Sequence, residues 1–447
     1  MPTPCFAFHV LTRPAATSCN RGRNVSTLES PAAISPGSDQ PMDDDLLEQY
    51  IRQYITAEAG DVVTLAWQGS EPMLRGLDFF RRAVALTHHY ARPGVTVEHT
   101  IQTNGALLDD AWCEFLRDNN FLVELRIEGP SASLDVQRMD QGGPPIQARV
   151  PATAALLRAH RVDFNTLTCV DAADVAHPLE VYRFLRDKVG SEWVQFIPVV
   201  EQGKGEADED VCAPGADEDV CAPKAGSLQP DRAPVGRRPV TAQQWGEFLC
   251  TIYDEWVRCD VGRIYVNLFE AALASWLGAP QPLCIFRERC GDALALEQNG
   301  DLYCCERYVD AEHLLGNIRL RPLADLVTSP QQQQFGAAKA VLPEQCCACT
   351  VRFACHGECP KNRLQATGEG KPPINALCAG YFHFFTHIDR TMRVMAQLYR
   401  MGRPPAEVMA LLAAEDARYR QAAAALRRSA PCPCGSGKKV KQCHGQA

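Results

Sequence analysis

Eight of the ten cysteines from Cys284 to Cys378 fall at an ordered spacing that constrains this chain more than any other feature. They fall as Cys284-x5-Cys290, x9 to Gly300, x4 to Cys305, then Cys346-x2-Cys349-x5-Cys355-x3-Cys359, and last Cys378. Closely spaced thiolates closed by more distant ones are what iron–sulfide cages need, and eight would hold two four-cysteine clusters. Zinc is a rival, because Cys-x2-Cys also suits a tetrahedral site. Disulfides are another. The chain has 21 cysteines and no basic segment followed by an apolar leader, which argues for reduced thiols and metal sites.

The array resembles the SPASM domain of radical S-adenosylmethionine (SAM) enzymes, in particular the anaerobic sulfatase-maturating enzymes. Their seven-cysteine core is met at every position. The resemblance implies one auxiliary [4Fe–4S] cluster on Cys284, Cys290, Cys305 and Cys359, and a second on Cys346, Cys349, Cys355 and Cys378. Cys304 and Cys347 read as spectators beside ligands. After Cys305 comes Glu306-Arg307-Tyr308 where the family has Asp-His. The resemblance implies that Glu306 is the general base that deprotonates a client Cys or Ser. Its extra methylene moves the carboxylate, and a base must come within about 3 Å of its proton. The alternative is a surface carboxylate paired with Arg307.

Ahead of the array, strand-like runs at 62–67, 95–103, 121–127, 164–170 and 193–199 alternate with helical patterns at 43–57, 77–90, 109–119, 146–160 and 178–188. Such alternation predicts parallel βαβ units. With a short strand near 6–11, the fold class is α/β: a partial (β/α)6 radical SAM barrel followed by a cysteine-rich SPASM domain. Ligand signatures stand at the C-terminal ends of the strands, where barrel enzymes place their sites.

Gln68-Gly69-Ser70-Glu71-Pro72 is similar to the Gly-Gly-Glu-Pro motif that grips the SAM amino group, with Ser70 for the second glycine. Gln102-Thr103-Asn104-Gly105 also matches the family, and Gln102 and Asn104 would line the SAM and substrate cavity. Arg138 stands where the family carries an arginine near its substrate. Arg126-Ile127-Glu128-Gly129-Pro130 replaces the usual Ser-Ile-Asp-Gly-Pro and adds bulk at the ligand.

The family's SAM-binding cluster hangs on Cys-x3-Cys-x2-Cys. Here Cys19-Asn20 match its opening, but Arg23 and Ser26 occupy the other two cysteine positions. An arginine is a cation and cannot ligate iron. Either the chain has lost SAM cleavage, or a short shift in reading frame has rewritten codons between Asn20 and roughly Pro36.

Residues 208–214 repeat at 217–223 within an acidic, Pro- and Gly-rich insertion spanning 201–239, which predicts disorder. The organisation is then 1–200 barrel, 201–239 insertion, 240–283 linking helical segment, 284–400 SPASM-like domain, 401–430 helical spacer and 431–447 tail. In the tail, Cys432-x-Cys434-x8-Cys443-His444 resembles a SEC-C motif and offers three thiolates and an imidazole, a complete zinc set. His383 and His387, one helical turn apart, read as packing or solvent-facing.

Hydrophobic residues make up 46% of the 447 and the net charge is −9 with no basic stripe, so nucleic acid has no electrostatic footprint here. No apolar run approaches the ~20 residues of a membrane span, and the expected location is cytoplasmic. The resemblance implies oxidation of a sulfatase's active-site Cys or Ser to formylglycine (3-oxoalanine) by a 5′-deoxyadenosyl radical from SAM. A sulfatase polypeptide would be the client, and flavodoxin or ferredoxin the electron donor. The alternative is an iron–sulfur scaffold that binds a client without radical chemistry.

Overall fold

The computed structural model describes residues 8–15, 40–127, 146–200, 238–368, 370–424 and 426–444. Ten strands form one sheet among the described residues: β1 His9–Thr12, β2 Val62–Trp67, β3 Thr96–Thr103, β4 Phe121–Ile127, β5 Phe164–Val170, β6 Trp193–Pro198, β7 Tyr265–Val266, β8 Ala293–Leu296, β9 Asp301–Tyr303 and β10 Leu314–Asn317. Their order is β10-β9-β8-β1-β2-β3-β4-β5-β6-β7. From β8 to β7 every pairing is parallel; β9 and β10 run antiparallel at one end. The sheet keeps two edges, so it is a partial barrel.

The helices are α1 Asp44–Ala57, α2 Gly76–Tyr90, α3 Asp110–Asp118, α4 Ile146–His160, α5 Pro178–Arg183, α6 Ala242–Cys259 and α7 Asn267–Leu277. They are followed by α8 Leu323–Val327, α9 Pro330–Ala338, α10 Glu344–Cys347, α11 Arg352–Cys355, α12 Cys378–Arg400 and α13 Val408–Ala424. Local chemistry sets their starts. Asp43 caps α1 by accepting from the Leu46 amide at 2.8 Å, Asp109 does the same for α3 from Trp112, and Thr241 and Gln244 form a capping box on α6. α5 does not run straight to 188 as the apolar spacing predicts. It passes into a π-helical turn, Phe184–Val189, which ends at Gly190 in the left-handed region.

Alternation along the strands separates two faces. Val10, Leu65, Trp67, Ile101, Phe121 and Val123 are buried under the helices, with Trp67 edge-on to both Phe79 and Phe80 of α2. This outer core fixes the register, because a slip of one residue would turn every one of these side chains to the other face. α6 buries the stripe Trp245, Phe248, Leu249, Ile252 and Trp256, as its spacing predicts. α12 crosses α6 where two glycines meet: a Cβ on Gly246 would lie 2.9 Å from Gly380 Cα.

The hairpin β8–β9, turning at Gly300 (φ +94°), is not confined to the cysteine-rich half. β8 pairs with the free edge of β1, from His9↔Ala293 to Thr12↔Leu296, and buries Leu294 and Leu296. An unpaired parallel edge is costly, and this pairing removes it. The back half thus grows from the same sheet as the barrel. α13, read from sequence as a spacer, lies against the body: Arg258 of α6 pairs with Asp416 and Arg390 of α12 with Glu415.

Candidate active site

The inner face of the sheet carries a polar row that crosses three strands. Gln102, Glu124 and Asn165 stand side by side in register on β3, β4 and β5. Arg126 follows on the same face of β4. Just past β1 and β8, Arg13 pairs with Glu297 at 2.9 Å, and its other arm donates to the Glu306 carbonyl at 3.2 Å. The Glu306 backbone is thereby tied to this interior, and both Arg13 and Arg307 lie within electrostatic reach of its carboxyl. Burial pushes its carboxyl pKa up, against the pull of Arg13 and Arg307. Glu124 is pushed up as well, by burial first and by the charge of Glu306, while Asn165 hydrogen-bonds its carboxylate. Sequence reading missed Glu124. Its signal is a charged residue at an inward position of an otherwise apolar strand, Phe-Leu-Val-Glu-Leu.

The loop after β2 is held from within. Gly69 takes φ +109°, where a side chain would be strained. Glu71 is fully buried and its carboxylate receives the Met73 amide at 3.2 Å, the Thr103 hydroxyl at 2.8 Å and the Asn104 amide at 3.0 Å. It thus welds the two family-like turns, 68–72 and 102–105, into one rim. Gln102 is buried beneath this rim and Ser70 is half-buried on it. Cys19, Arg23, Ser26, Glu128 and Arg138 lie outside the described residues.

Every described cysteine is a free thiol. The eight of the array fall into two neighbourhoods. Cys284 is pushed up to about 12 by burial, then by Glu306 and Cys359, with Cys290 also in reach. Cys305 is raised by burial, then Glu306, and feels Cys359 and Cys284. Cys359 feels Cys290. Separately, Cys355 is pushed up to about 12 by burial, with Cys378 and Cys346 nearby, and Cys378 is raised by burial, Cys346 and Cys349. Charge coupling links Cys284, Cys290, Cys305 and Cys359 with one another, and Cys346, Cys349, Cys355 and Cys378 with one another. Cys304 is buried in the core, and Cys347 is exposed and within electrostatic reach of Cys346.

The chain makes this division over one turn. Between Cys355 and Cys359, His356, Gly357 and Glu358 all take positive φ (46°, 75° and 52°), a strained reversal that sends near neighbours into different sets. Two cations sit with the first set. Lys339 is buried and donates to the carbonyls of Cys284 at 2.6 Å and Ile285 at 2.8 Å. Arg307 donates to Asn362 at 2.9 Å; burial opposes its charge, but Cys359, Glu358 and Glu306 hold its pKa above the usual value. Buried thiolates need such counter-charge.

Among the described residues, Cys432, Cys434, Cys443 and His444 are the one group of three or more His, Cys, Asp or Glu side chains whose donor atoms all lie within 4.8 Å of one another. A single zinc, with sulfur about 2.3 Å away, requires that closeness. The tail meets it. His383 and His387 are exposed, and His387 pairs with Asp254 at 2.8 Å.

Residues 284–350 match SPASM, an iron-sulfur cluster-binding domain, and residues 428–446 match the SEC-C motif. A serine-type anaerobic sulfatase-maturating enzyme of Bacteroides thetaiotaomicron is 36% identical over 406 residues, spanning 90% of this chain and 95% of that protein. The chain belongs to the anaerobic sulfatase-maturating enzymes. A serine-type relative from Klebsiella aerogenes is 34% identical over 392 residues, 86% of each chain. A cysteine-type relative from Clostridium perfringens is 27% identical over 352 residues, 77% of this chain and 86% of that one. Among solved structures, native anSMEcpe with bound AdoMet and Cp18Cys peptide superposes with a TM-score of 0.72 at 23% identity, over 88% of this chain and 99% of that one. Streptococcus suis SuiB bound to the precursor peptide SuiA superposes at 0.55 and 12% identity, over 83% and 75%. These likenesses carry the fold. In this sulfatase-maturating-enzyme family member the cluster-binding half is thus an extension of the radical SAM sheet. No described helix is long and apolar enough to cross a membrane.

Proposed function

We propose that this chain binds a sulfatase polypeptide and keeps the proton-accepting and electron-storing parts of the site that oxidises an active-site Cys or Ser to formylglycine, with Glu306 as proton acceptor. The observation that carries this reading is the position of Glu306: enclosed, braced by Arg13, and within electrostatic reach of Cys284 and Cys305. A carboxylate held beside a redox cluster can take the client's proton where the electron leaves. Burial raises its pKa, which makes it a stronger proton acceptor than a free carboxylate.

Cys284, Cys290, Cys305 and Cys359 would hold one [4Fe–4S] cluster, and Cys346, Cys349, Cys355 and Cys378 a second. Lys339 and Arg307 would balance the first. The rim of Gly69, Ser70, Glu71, Gln102 and Asn104 would hold SAM, with Arg138 toward the client. Bound there with its own cluster, SAM supplies hydrogen-atom abstraction. The sequence does not fit that cluster: Cys19 is one thiolate, and Arg23 and Ser26 cannot complete the set. The residues therefore support client binding, proton acceptance and electron storage, and stop short of radical initiation. This shortage favours a second reading, a client-binding iron–sulfur scaffold. Flavodoxin or ferredoxin would be the electron donor, the cytoplasm the compartment, and the tail would hold zinc.

The test is anaerobic incubation with SAM, reductant and a sulfatase-derived peptide, read by peptide binding and by mass spectrometry. The chain as it stands should bind the peptide without converting it. The Arg23→Cys/Ser26→Cys variant should convert it, with the mass change of formylglycine. Absence of peptide binding by both would overturn the reading.

A further inference from the structure

Resting on the zinc reading of the tail, we infer that Asp416 is the outer partner of that metal centre, and that metal binding fastens the tail to the body of the protein. His444 presents two different nitrogens. Its Nδ1 lies 3.3 Å from the sulfurs of both Cys432 and Cys443, so this nitrogen faces the donor cluster. Its Nε2 points away and meets Asp416 Oδ1 at 3.3 Å. A metal on Nδ1 obliges Nε2 to carry the proton, and that proton then has one acceptor, the Asp416 carboxylate. A ligating histidine held by a carboxylate is fixed in tautomer and ring orientation.

Asp416 does not belong to the tail. It lies on α13, eleven residues before Arg427, and its second oxygen takes Arg258 Nε of α6 at 3.3 Å. The His444 ring also rests on Tyr419 of α13, with centroids 5.3 Å apart. A continuous line therefore runs from the four donors through His444 and Asp416 to Arg258. The tail closes on itself at the same place: Val440 donates to the Ala430 carbonyl at 2.9 Å and Lys441 to that of Arg428 at 3.0 Å. Without metal nothing commits His444 to one tautomer, and the link to α13 is one of several choices for the ring. With metal it is the single choice. The tail is thereby presented in one orientation when loaded and released when empty.

The experiment uses the full, iron-loaded chain with Zn2+ alone as the probe. Zinc affinity is read by competition with a chromophoric chelator, and tail docking by tryptic cleavage at the exposed Arg427 and Arg428. Zinc should protect these bonds in the unsubstituted chain. Asp416→Asn, which keeps the shape and loses the charge, should weaken zinc binding by about 10–100-fold. It should also restore cleavage even at saturating zinc, while iron content stays unchanged as the control for folding. Arg258→Gln should keep zinc affinity within a few-fold and lose part of the protection. Wild-type zinc affinity together with full protection in Asp416→Asn would overturn the inference. No zinc bound by the unsubstituted chain would overturn instead the zinc reading on which it rests.

Discussion

Glu306 shows how much one side chain can depend on its frame. Burial raises its pKa, so its basic form fills at a higher pH than that of a free carboxylate. In the Arg23→Cys/Ser26→Cys background, Glu306→Gln should lower formylglycine formation by about 10²–10⁴-fold, the usual worth of a positioned base. Glu124→Gln removes a like charge facing it and should move the acid limb of the pH profile to lower pH. An unmoved limb would remove Glu124 from the site. Glu270, half-buried on α7, is pushed by burial from 4.5 to about 7. Here the folded state binds more protons than the unfolded one between those values, so stability falls as pH rises through that window. Glu270→Gln should flatten the fall and raise stability at pH 8 by up to about 3 kcal/mol, read as a higher Tm. The cysteine array was legible as iron–sulfur-binding because spacing and residue type carry that chemistry. Glu124, Lys339 and Asp416 were not, because each acts through a neighbour distant in sequence.

At the scale of elements, local rules did most of the work. Caps at Asp43, Asp109 and Thr241, and apolar repeats at 2 or 3.6 residues, placed the principal strands and helices nearly to the residue. What escaped was pairing. β8 beside β1 joins segments some 280 positions apart, and two-residue β7 has no pattern of its own; no local signal encodes either. The crossing of α6 and α12 is of the same kind. Gly380 sits two residues after Cys378 and lets α12 approach the α6 backbone, where a Cβ would strike Ala242. Gly380→Ala should cost about 1–3 kcal/mol through overpacking. It should also displace the start of α12, lowering iron content through the set that includes Cys378. A normal iron content with a normal Tm would show that the crossing does not position that thiol.

For the whole molecule, one sheet ties both halves together. β1 carries Arg13 at the barrel's inner face on one side and pairs with β8 of the cysteine-rich half on the other. Glu306 is thereby held where it acts on Glu124 on one side and on Cys284 and Cys305 on the other. The sequence made the two halves legible as separate signatures; their common sheet emerged only from the structure. The central claim is that the back half alone supplies two complete sets of four thiolates, while the front supplies one ligand of three. Iron and acid-labile sulfide per chain, measured after anaerobic reconstitution, test this directly. The chain as it stands should hold about eight irons and release no 5′-deoxyadenosine from SAM, and the count should rise to about twelve in Arg23→Cys/Ser26→Cys. About twelve irons with SAM cleavage in the unsubstituted chain, or four or fewer in either, would contradict the account.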